Sequence, residues 1–305
     1  MKTALILGIT GNFGKQMALA LVAEGWNIRT LMRDKSKAPT WLPSQEIMTA
    51  NANNESHVTN AAEGVDLIVY AVNPVYYRWG EEALSLLEPT VRVAEKMNIR
   101  ILFPGNVYNF SPSSDLIAEN TPMKPISEKG KIRVQMENRL RTATKNGAKV
   151  TIVRAGDFIG PDTHLTWLDM TLKQKESRAT IAFPHNENHN HFWSFLPDLC
   201  ANSAKLLSQP QSQFEVWHDP GLRLSQADWQ QAFASHNITL KVTRFHWWAY
   251  KLIVPFVPLV REVFKMRYLW QQPVLLDGQK MKAALGDKYT TTSLANIIPQ
   301  LSNSK

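Results

Sequence analysis

The sequence is poor in cysteine. Its 305 residues contain one, Cys200, and a single cysteine excludes a framework of internal disulfide bonds. A strand-like segment follows Met1 directly, without the charged stretch, long apolar run and cleavage site that make up a signal peptide. We therefore expect a cytoplasmic protein.

Long hydrophobic runs are also scarce. Away from the N-terminus, the most apolar stretch is "WWAYKLIVPFVPLV", residues 247–260, which holds Lys251 and two prolines within 14 residues. A helix that crosses a bilayer needs about 20 apolar residues. The stretch therefore predicts no transmembrane helix, and we expect no membrane partner.

Dense clusters of basic residues are missing as well. The formal net charge is +8, which suits an anionic partner such as nucleic acid, a membrane or a phosphorylated small molecule. Lysine and arginine are scattered along the chain, with no run of five or six and no interleaved aromatic pattern. This distribution favours the small molecule and argues against nucleic acid.

What the sequence does contain is a regular alternation of apolar strand-like segments and helical segments. The strand-like segments are 3–8, 27–32, 65–72, 99–103 and 148–156, and the helical ones are 17–25, 81–98 and 131–147. Apolar strands separated by helix-length segments are typical of a parallel sheet covered on both faces. The pattern predicts an α/β fold with a Rossmann-type, doubly wound parallel sheet.

A glycine pattern joins the first strand to the first helix. Gly8, Gly11 and Gly14 form GxxGxxG, in which the first glycine permits a tight turn, the second lets a pyrophosphate approach, and the third lets the helix pack closely. The helix N-terminus offers N–H groups and a positive dipole to phosphates. We predict a dinucleotide site here; the alternative is a structural turn. The predicted contacts in this region are Gly8, Thr10, Gly11, Asn12, Phe13, Gly14, Ala71 and Val72.

The end of the second strand bears on the choice of cofactor. Arg33 stands at the strand end and Asp34 follows in the loop. An acidic residue near this position usually holds the ribose of NAD, whereas an arginine can hold the additional phosphate of NADP, with Lys35 and Lys37 adding positive potential. The sequence favours NADP(H) over NAD(H); the alternative is a solvated charge cluster.

The character of the sequence changes after Gly156, where the alternation of strands and helices becomes irregular. We expect an NAD(P)-binding Rossmann domain over residues 1–160, to which residues 194–220 return. Residues 161–193 and 221–305 are expected to form a smaller C-terminal substrate lobe.

Several stretches together resemble the short-chain dehydrogenase/reductase superfamily in its extended and atypical branches. They include "GITGNFG", "VDLIVYAVNP", "RILFPGNVYNF", "TPMKPISEKGKIR", "IVRAGDFIGP" and "HFWSFLPDLC". The later stretches are similar to bacterial proteins described as epimerase/dehydratase-like. The resemblance implies a Rossmann sheet, NAD(P) binding and a C-terminal substrate lobe, but no particular reaction. The expected partner is a small-molecule substrate, and a homodimer is a candidate assembly.

The catalytic pattern of that superfamily is altered here. Its enzymes normally carry Tyr-x-x-x-Lys with an upstream Ser or Thr, but the tyrosine slot holds Lys129, the lysine slot holds Arg133, and Pro104 and Gly105 occupy the upstream slot. "KGKIRV" is similar to the stretch in isoflavone-reductase-like enzymes that provides a catalytic lysine. The resemblance implies that Lys129 acts as acid or base and that Arg133 contacts the cofactor.

The same helix also has a purely structural interpretation. Lys129 and Arg133 share one helical face, and a lysine desolvated beside a cation can exchange protons near neutrality. With Glu137, however, the two residues could equally form a solvated stripe beside the buried positions of the helix.

The predicted substrate side combines loop residues and later segments: Tyr76, Tyr77, Asn106, Tyr108, His191 and Trp193. Tyr76 and Tyr77 follow a strand at its carboxyl end, where ligands bind in this fold; the alternative is a solvent-exposed loop with incidental aromatic residues. His185, His189 and His191 could bind a metal if they were helical, but their asparagine-rich surroundings indicate a loop, and we predict no metal site.

Three functions fit these observations. The first is an NADPH-dependent reductase of a small carbonyl or enone in which Lys129 supplies or relays the proton. The second is a catalytically silent NADP(H) sensor or scaffold. The third is a sugar-nucleotide epimerase or dehydratase, against which the missing tyrosine and serine count.

Overall fold

A computed structural model describes residues 1–74, 79–80, 82–113, 115–184, 190–272 and 274–302. In the first half of the chain, strands and helices alternate as expected, with an additional strand at 47–49 and an additional helix at 55–62 that the sequence did not predict. The strands are β1 (Thr3–Leu7), β2 (Asn27–Met32), β3 (Ile47–Thr49), β4 (Leu67–Tyr70), β5 (Arg100–Asn106) and β6 (Lys149–Ala155). The helices are α1 (Asn12–Ala23), α2 (Glu55–Ala62), α3 (Glu82–Met97) and α4 (Glu128–Ala143).

The second half contains shorter elements. Its strands are β7 (Asp157–Ile159), β8 (Leu172–Lys175), β9 (Arg178–Phe183), β10 (His191–Phe195), β11 (Phe214–His218), β12 (Leu222–Leu224) and β13 (Thr239–Arg244). Its helices are α5 (Trp167–Thr171), α6 (Leu196–Leu207), α7 (Gln226–Ala234), α8 (Trp247–Ile253), α9 (Pro258–Lys265), α10 (Tyr268–Gln271), α11 (Gln279–Leu285) and α12 (Leu294–Ser302).

Seven strands form one parallel sheet in the order β11-β6-β5-β4-β1-β2-β3. Successive side chains of a strand point to opposite faces, and β1 shows this in its packing. Leu5 belongs to a core shared with α2, α3 and α4, whereas Ile6 belongs to a core shared with α1 and α6. Helices therefore cover both faces, and the predicted Rossmann-type fold is confirmed.

The region after Gly156 is more regular than the sequence suggested. It adds two three-stranded sheets, in the orders β12-β10-β7 and β13-β9-β8. Their strands have only three to six residues, too few for a clear periodic signal. Strand β11 instead pairs with β6 in the large sheet.

The helix that carries Lys129 begins three residues earlier than expected. The Ser127 side chain accepts a hydrogen bond from the backbone N–H of Gly130 at 3.1 Å and thereby caps α4. Lys129 consequently lies in the first turn of this helix.

No helix within the described ranges has the length and apolar character needed to cross a membrane.

Candidate functional site

The glycine turn between β1 and α1 is tightly packed. Gly8 has φ of +90°, and a Cβ atom there would lie 2.5 Å from the carbonyl oxygen of Ala71. A Cβ at Gly14 would overlap the carbonyl oxygen of Gly8. A Cβ at Gly11, by contrast, would meet only that oxygen, at an ordinary 3.4 Å. Gly8 and Gly14 are thus required by the fold, whereas Gly11 leaves space open beside the turn.

The N-terminus of α1 follows this open space. Gly11 is its N-cap residue and, among the described residues, no side chain caps the helix or adds acidic charge to its first turn. The first amides of a helix have no intrahelical partner and favour anions. These amides can therefore receive a phosphate.

Residues around the turn are held by the loop after β7. Asn12 exchanges hydrogen bonds with the backbone of His164, at 2.8 and 3.0 Å. Phe13 is buried and its ring lies 6.4 Å from that of Phe158. Thr10 is exposed. The structure thus places the predicted cofactor residues of this turn together, with Phe13 packed inward.

Arg33 and Asp34 differ in the number of hydrogen bonds and ion pairs that they form. Asp34 accepts hydrogen bonds from the backbone N–H and hydroxyl of Ser36, at 3.0 and 2.6 Å, and lies 3.6 Å from Lys37. The Ser36 bonds hold the pKa of Asp34 below its usual value. Arg33 is exposed just beyond β2, and no hydrogen bond or ion pair within the described part of the chain involves it.

The first turn of α4 packs against the end of β5. A Cβ at Gly130 would overlap the carbonyl oxygen of Tyr108, so glycine lets the helix approach this backbone closely. Asn106 accepts a hydrogen bond from the N–H of Tyr108 at 3.0 Å. Asn106, Tyr108 and the turn that contains Lys129 are therefore brought together.

Lys129 is buried, with 4% of its side chain exposed. Its ammonium group forms an ion pair with Glu262 of α9, and Lys265 contacts the same carboxylate at 2.9 Å. Burial opposes ionisation of Glu262, but the hydrogen bonds from Lys129 and Lys265 outweigh it and lower the pKa of this carboxyl. Lys129 thus contacts a carboxylate from the C-terminal part of the chain.

Arg133 points toward β5. Its Nη1 donates to the carbonyl oxygen of Pro104 at 2.9 Å, and its guanidinium lies 4.5 Å from the Trp79 ring centroid and 5.0 Å from that of Phe103. These contacts fix the guanidinium inside the protein beside the end of β5. Arg133 is thus hydrogen-bonded to Pro104, one of the two residues that occupy the altered upstream slot.

Glu137 completes the buried face of α4. It pairs with Arg154, which in turn places Nη1 3.0 Å from Nε2 of His218. Lys129, Arg133 and Glu137 are only 4%, 8% and 3% exposed. The interpretation of these three residues as a solvated stripe is therefore wrong: each has found a polar partner in the interior.

His218 and Asp219 lie at the carboxyl end of β11. Burial, and after it the charge of Arg154, lowers the pKa of His218 to about 3. Burial raises the pKa of Asp219 to about 6, although a hydrogen bond from the Ser194 hydroxyl at 2.5 Å opposes this. His218 is accordingly neutral in the folded protein, and Asp219 is a buried carboxyl with an elevated pKa.

A small cleft of about 20 Å³, room for about one water molecule, lies between the end of the sheet and the C-terminal segments. Its lining includes the apolar residues Val107, Leu269, Val274 and Leu275 and the polar residues Asp157, Asn190 and His191. His191 Nε2 lies 2.6 Å from an Asp157 carboxylate oxygen, and its ring stacks on Trp270 at 3.6 Å. Polar and apolar side chains therefore meet around a space that holds a water molecule rather than an organic substrate.

The remaining predicted substrate residues divide into two groups. Trp193 is 1% exposed and lies behind His191, with its ring 5.0 Å from the imidazole. Tyr76 and Tyr77 lie outside the described residues, as do His185 and His189. Over the described ranges, no three His, Cys, Asp or Glu side chains are grouped so as to hold a metal ion.

Sequence reasoning missed several polar residues of this region. Asp157 stands within the quoted stretch "IVRAGDFIGP", directly after a strand, and this position was a usable signal. Glu262 and Asp219 had none, because their partners are distant in sequence. Tyr268 is a further example: its hydroxyl lies 3.2 Å from Ser127 Oγ, across 141 positions.

Comparison with known proteins agrees with this arrangement. The NAD(P)H-binding family matches residues 8–182, which is more than half of the chain. No curated protein matches. A Thermus thermophilus UDP-glucose 4-epimerase solved with NAD shares 13% identity and a TM-score of 0.68, covering 99% of this chain and 100% of its own.

Two further solved structures are similar throughout. The Streptomyces venezuelae dTDP-glucose 4,6-dehydratase DesIV, solved with NAD, has 16% identity and a TM-score of 0.72, covering 99% of this chain and 97% of its own. A monomeric L-threonine 3-dehydrogenase from a metagenome has 13% identity and a TM-score of 0.74, covering 99% and 98%. The chain belongs to the NAD(P)H-binding family, and it shares the overall fold of these solved structures.

Proposed function

We propose that this protein is an NADPH-dependent reductase of a small carbonyl or enone substrate, with Lys129 as the acid. The observation that carries the proposal is the placement of a buried ammonium group in the first turn of α4, against the end of β5. In the superfamily that the chain resembles, this turn carries the proton-transferring residue.

The residues around the glycine turn fit a dinucleotide. The open side of Gly11 and the uncapped N-terminus of α1 would hold the pyrophosphate, and Ala71 and Val72 border the turn at the end of β4. When bound, the nicotinamide would supply the hydride.

The chain itself must then stabilise the negative charge that develops on the substrate oxygen. A buried ammonium group can do so by donating a hydrogen bond and then a proton. Glu262 holds Lys129 in position. The small cleft beyond β5 contributes apolar walls and must widen to admit a substrate. We propose that residues 161–193 and 221–305 act as the substrate lobe, since His191 and Leu269 border this cleft.

The preference for NADP(H) rests on Arg33 and Asp34. The carboxylate that would hold a ribose hydroxyl is occupied by Ser36, while the exposed guanidinium of Arg33 is available for the 2′-phosphate of NADPH. Both features favour NADPH over NADH.

A silent NADP(H) sensor is the second candidate, and the ion pair of Lys129 with Glu262 favours it because the ammonium group already has a partner. The experiment that separates the two functions is an NADPH oxidation assay over a panel of aldehydes, ketones and enones, with NADPH binding measured in parallel. A reductase consumes NADPH with at least one compound. A sensor binds NADPH and consumes it with none.

A further inference from the structure

Helices α8 and α9 with the turn between them, residues 247–265, form the α8–α9 hairpin. The end of α8 and the turn that follows it present large apolar side chains to water, with exposed fractions of 66% for Leu252, 43% for Ile253 and 82% for Phe256. No residue of α8, which the structure describes completely, is buried. Large apolar groups grouped on a surface mark an interaction site.

The base of the hairpin is fixed to the rest of the protein. Trp247 donates from Nε1 to the carbonyl oxygen of Pro184 at 3.0 Å, and its ring meets that of Trp167 edge-on at 6.1 Å. Glu262 of α9 pairs with the buried Lys129. The apolar tip is therefore presented by an anchored element.

Most of the net positive charge of the chain lies in and beside this hairpin. Residues 241–272 contain six lysines or arginines and one glutamate, a net charge of +5 out of +8 for the whole sequence. The one glutamate is Glu262, which is engaged by Lys129 and Lys265. Arg244, Lys251 and Arg261 are exposed, so cationic groups accompany the apolar tip.

This combination matches the interface of an anionic membrane. Apolar side chains enter the acyl boundary while lysine and arginine contact acidic headgroups, and tryptophan and tyrosine favour the level between them. Trp248 is 66% exposed and Tyr250 is half-buried on the same helix as Leu252. A purely apolar protein partner would leave the cationic groups without a counterpart.

We propose that the α8–α9 hairpin docks the protein on an anionic lipid surface, with Leu252 and Phe256 in the acyl boundary and Lys251 and Arg261 at the headgroups. The sequence predicted no membrane partner for two reasons, the lack of a long span and the scatter of basic residues. The charge of +5 in residues 241–272 arises because acidic residues are scarce there, without a run of basic ones. A hairpin that lies in one leaflet needs no span, and the proposal departs from that prediction. The proposal is independent of the reaction.

The test is co-sedimentation of the full-length protein with two kinds of vesicle, phosphatidylcholine alone and an equimolar mixture with phosphatidylglycerol. We expect binding to the mixed vesicles only, weakened by added salt. The double variant Leu252→Ser/Phe256→Ser should bind at least about tenfold more weakly. Leu19→Ser/Val22→Ser is the matched control, because these α1 residues are also exposed, at 38% and 45%, and it should bind as wild type does.

A fluorescent probe gives a second measurement that does not require a variant with weakened vesicle binding. Cys200 is fully buried and burial raises the pKa of its thiol well above the usual value, so Phe256→Cys can be labelled selectively with an environment-sensitive dye. The emission should shift to shorter wavelength on the mixed vesicles, whereas the same dye on Leu19→Cys should not respond.

Three results would overturn the proposal. They are absence of binding to the mixed vesicles, binding that Leu252→Ser/Phe256→Ser leaves unchanged, and an unresponsive dye at position 256 on vesicles that do bind the protein. If the wild type instead forms a dimer that the double variant abolishes and binds no vesicles, the occupant of the hairpin is a second copy of the chain.

Discussion

Lys129 and Glu262 form an ion pair across 133 positions of sequence, and the pair joins the first turn of α4 to helix α9. The lysine stands where the resemblance places the catalytic acid, and the glutamate belongs to the C-terminal segment that carries the exposed hairpin. This contact therefore connects the proposed catalytic lysine with the C-terminal segment that carries the α8–α9 hairpin.

The strength of this pair can be measured by a double-mutant cycle with Lys129→Met and Glu262→Gln. Because the two side chains are only 4% and 17% exposed, we expect a coupling of about 1 to 3 kcal/mol in the free energy of unfolding. The matched control is the cycle of Glu262 with Lys265, which is 45% exposed and should couple by less than about 1 kcal/mol. Equal couplings in both cycles would show that burial does not strengthen the pair.

Alanine substitutions in the glycine turn should have two different effects, one on thermal stability and one on NADPH binding. Gly14→Ala should lower the melting temperature of the protein without ligand, because its Cβ would overlap the Gly8 carbonyl oxygen. Gly11→Ala has room for its Cβ at 3.4 Å and should leave the melting temperature nearly unchanged. It should nevertheless weaken NADPH binding by about tenfold or more, since the methyl group occupies the approach of the pyrophosphate. Unchanged NADPH binding in Gly11→Ala would contradict the placement of the pyrophosphate.

The nucleotide preference is tested by titrating NADPH and NADH against wild type and Arg33→Ala. We expect wild type to bind NADPH more tightly and the variant to lose about tenfold or more of that affinity, with NADH binding unaltered, since a charge-assisted hydrogen bond is removed. Asp34→Asn serves as the control and should keep the preference, because Asp34 is engaged with Ser36. If wild type prefers NADH, Asp34 is the ribose ligand instead.

His218 and Asp219 predict opposite effects of pH on stability. The pKa of Asp219 is about 6 in the folded protein against an ordinary 3.8, so its contribution is fully present below about pH 4 and is lost as the pH rises to 6, by at most about 3 kcal/mol. The pKa of His218 is about 3 against 6.5. Its contribution is fully present above pH 6.5 and is lost as the pH falls.

Between about pH 4 and pH 6, the contributions of Asp219 and His218 to stability change in opposite directions in the wild type. Urea unfolding at several pH values should show that Asp219→Asn loses stability on acidification more steeply than wild type does. His218→Gln should show the reverse, with stability that rises relative to wild type toward pH 4. Curves for Asp219→Asn and wild type that run parallel would contradict the elevated pKa of Asp219.

The sequence predicted those features that depend on local pattern. The parallel sheet follows from apolar strands between helices, and the glycine turn follows from spacing alone. The partner of Lys129 could not be predicted, because Glu262 meets it only after the chain has folded back over α4. The buried charges of α4 were ambiguous for the same reason: Glu137 looks like a surface residue until Arg154 is placed beside it.

The most direct measurement compares NADPH oxidation by wild type and Lys129→Ala with an active carbonyl or enone substrate, alongside the dissociation constant of NADPH for each. We predict that the substitution lowers kcat by at least about a hundredfold and leaves NADPH affinity within a few-fold. Lys131→Ala, an exposed lysine of the same helix, should retain wild-type turnover. Turnover by Lys129→Ala within about threefold of wild type would contradict the assignment of Lys129 as the acid.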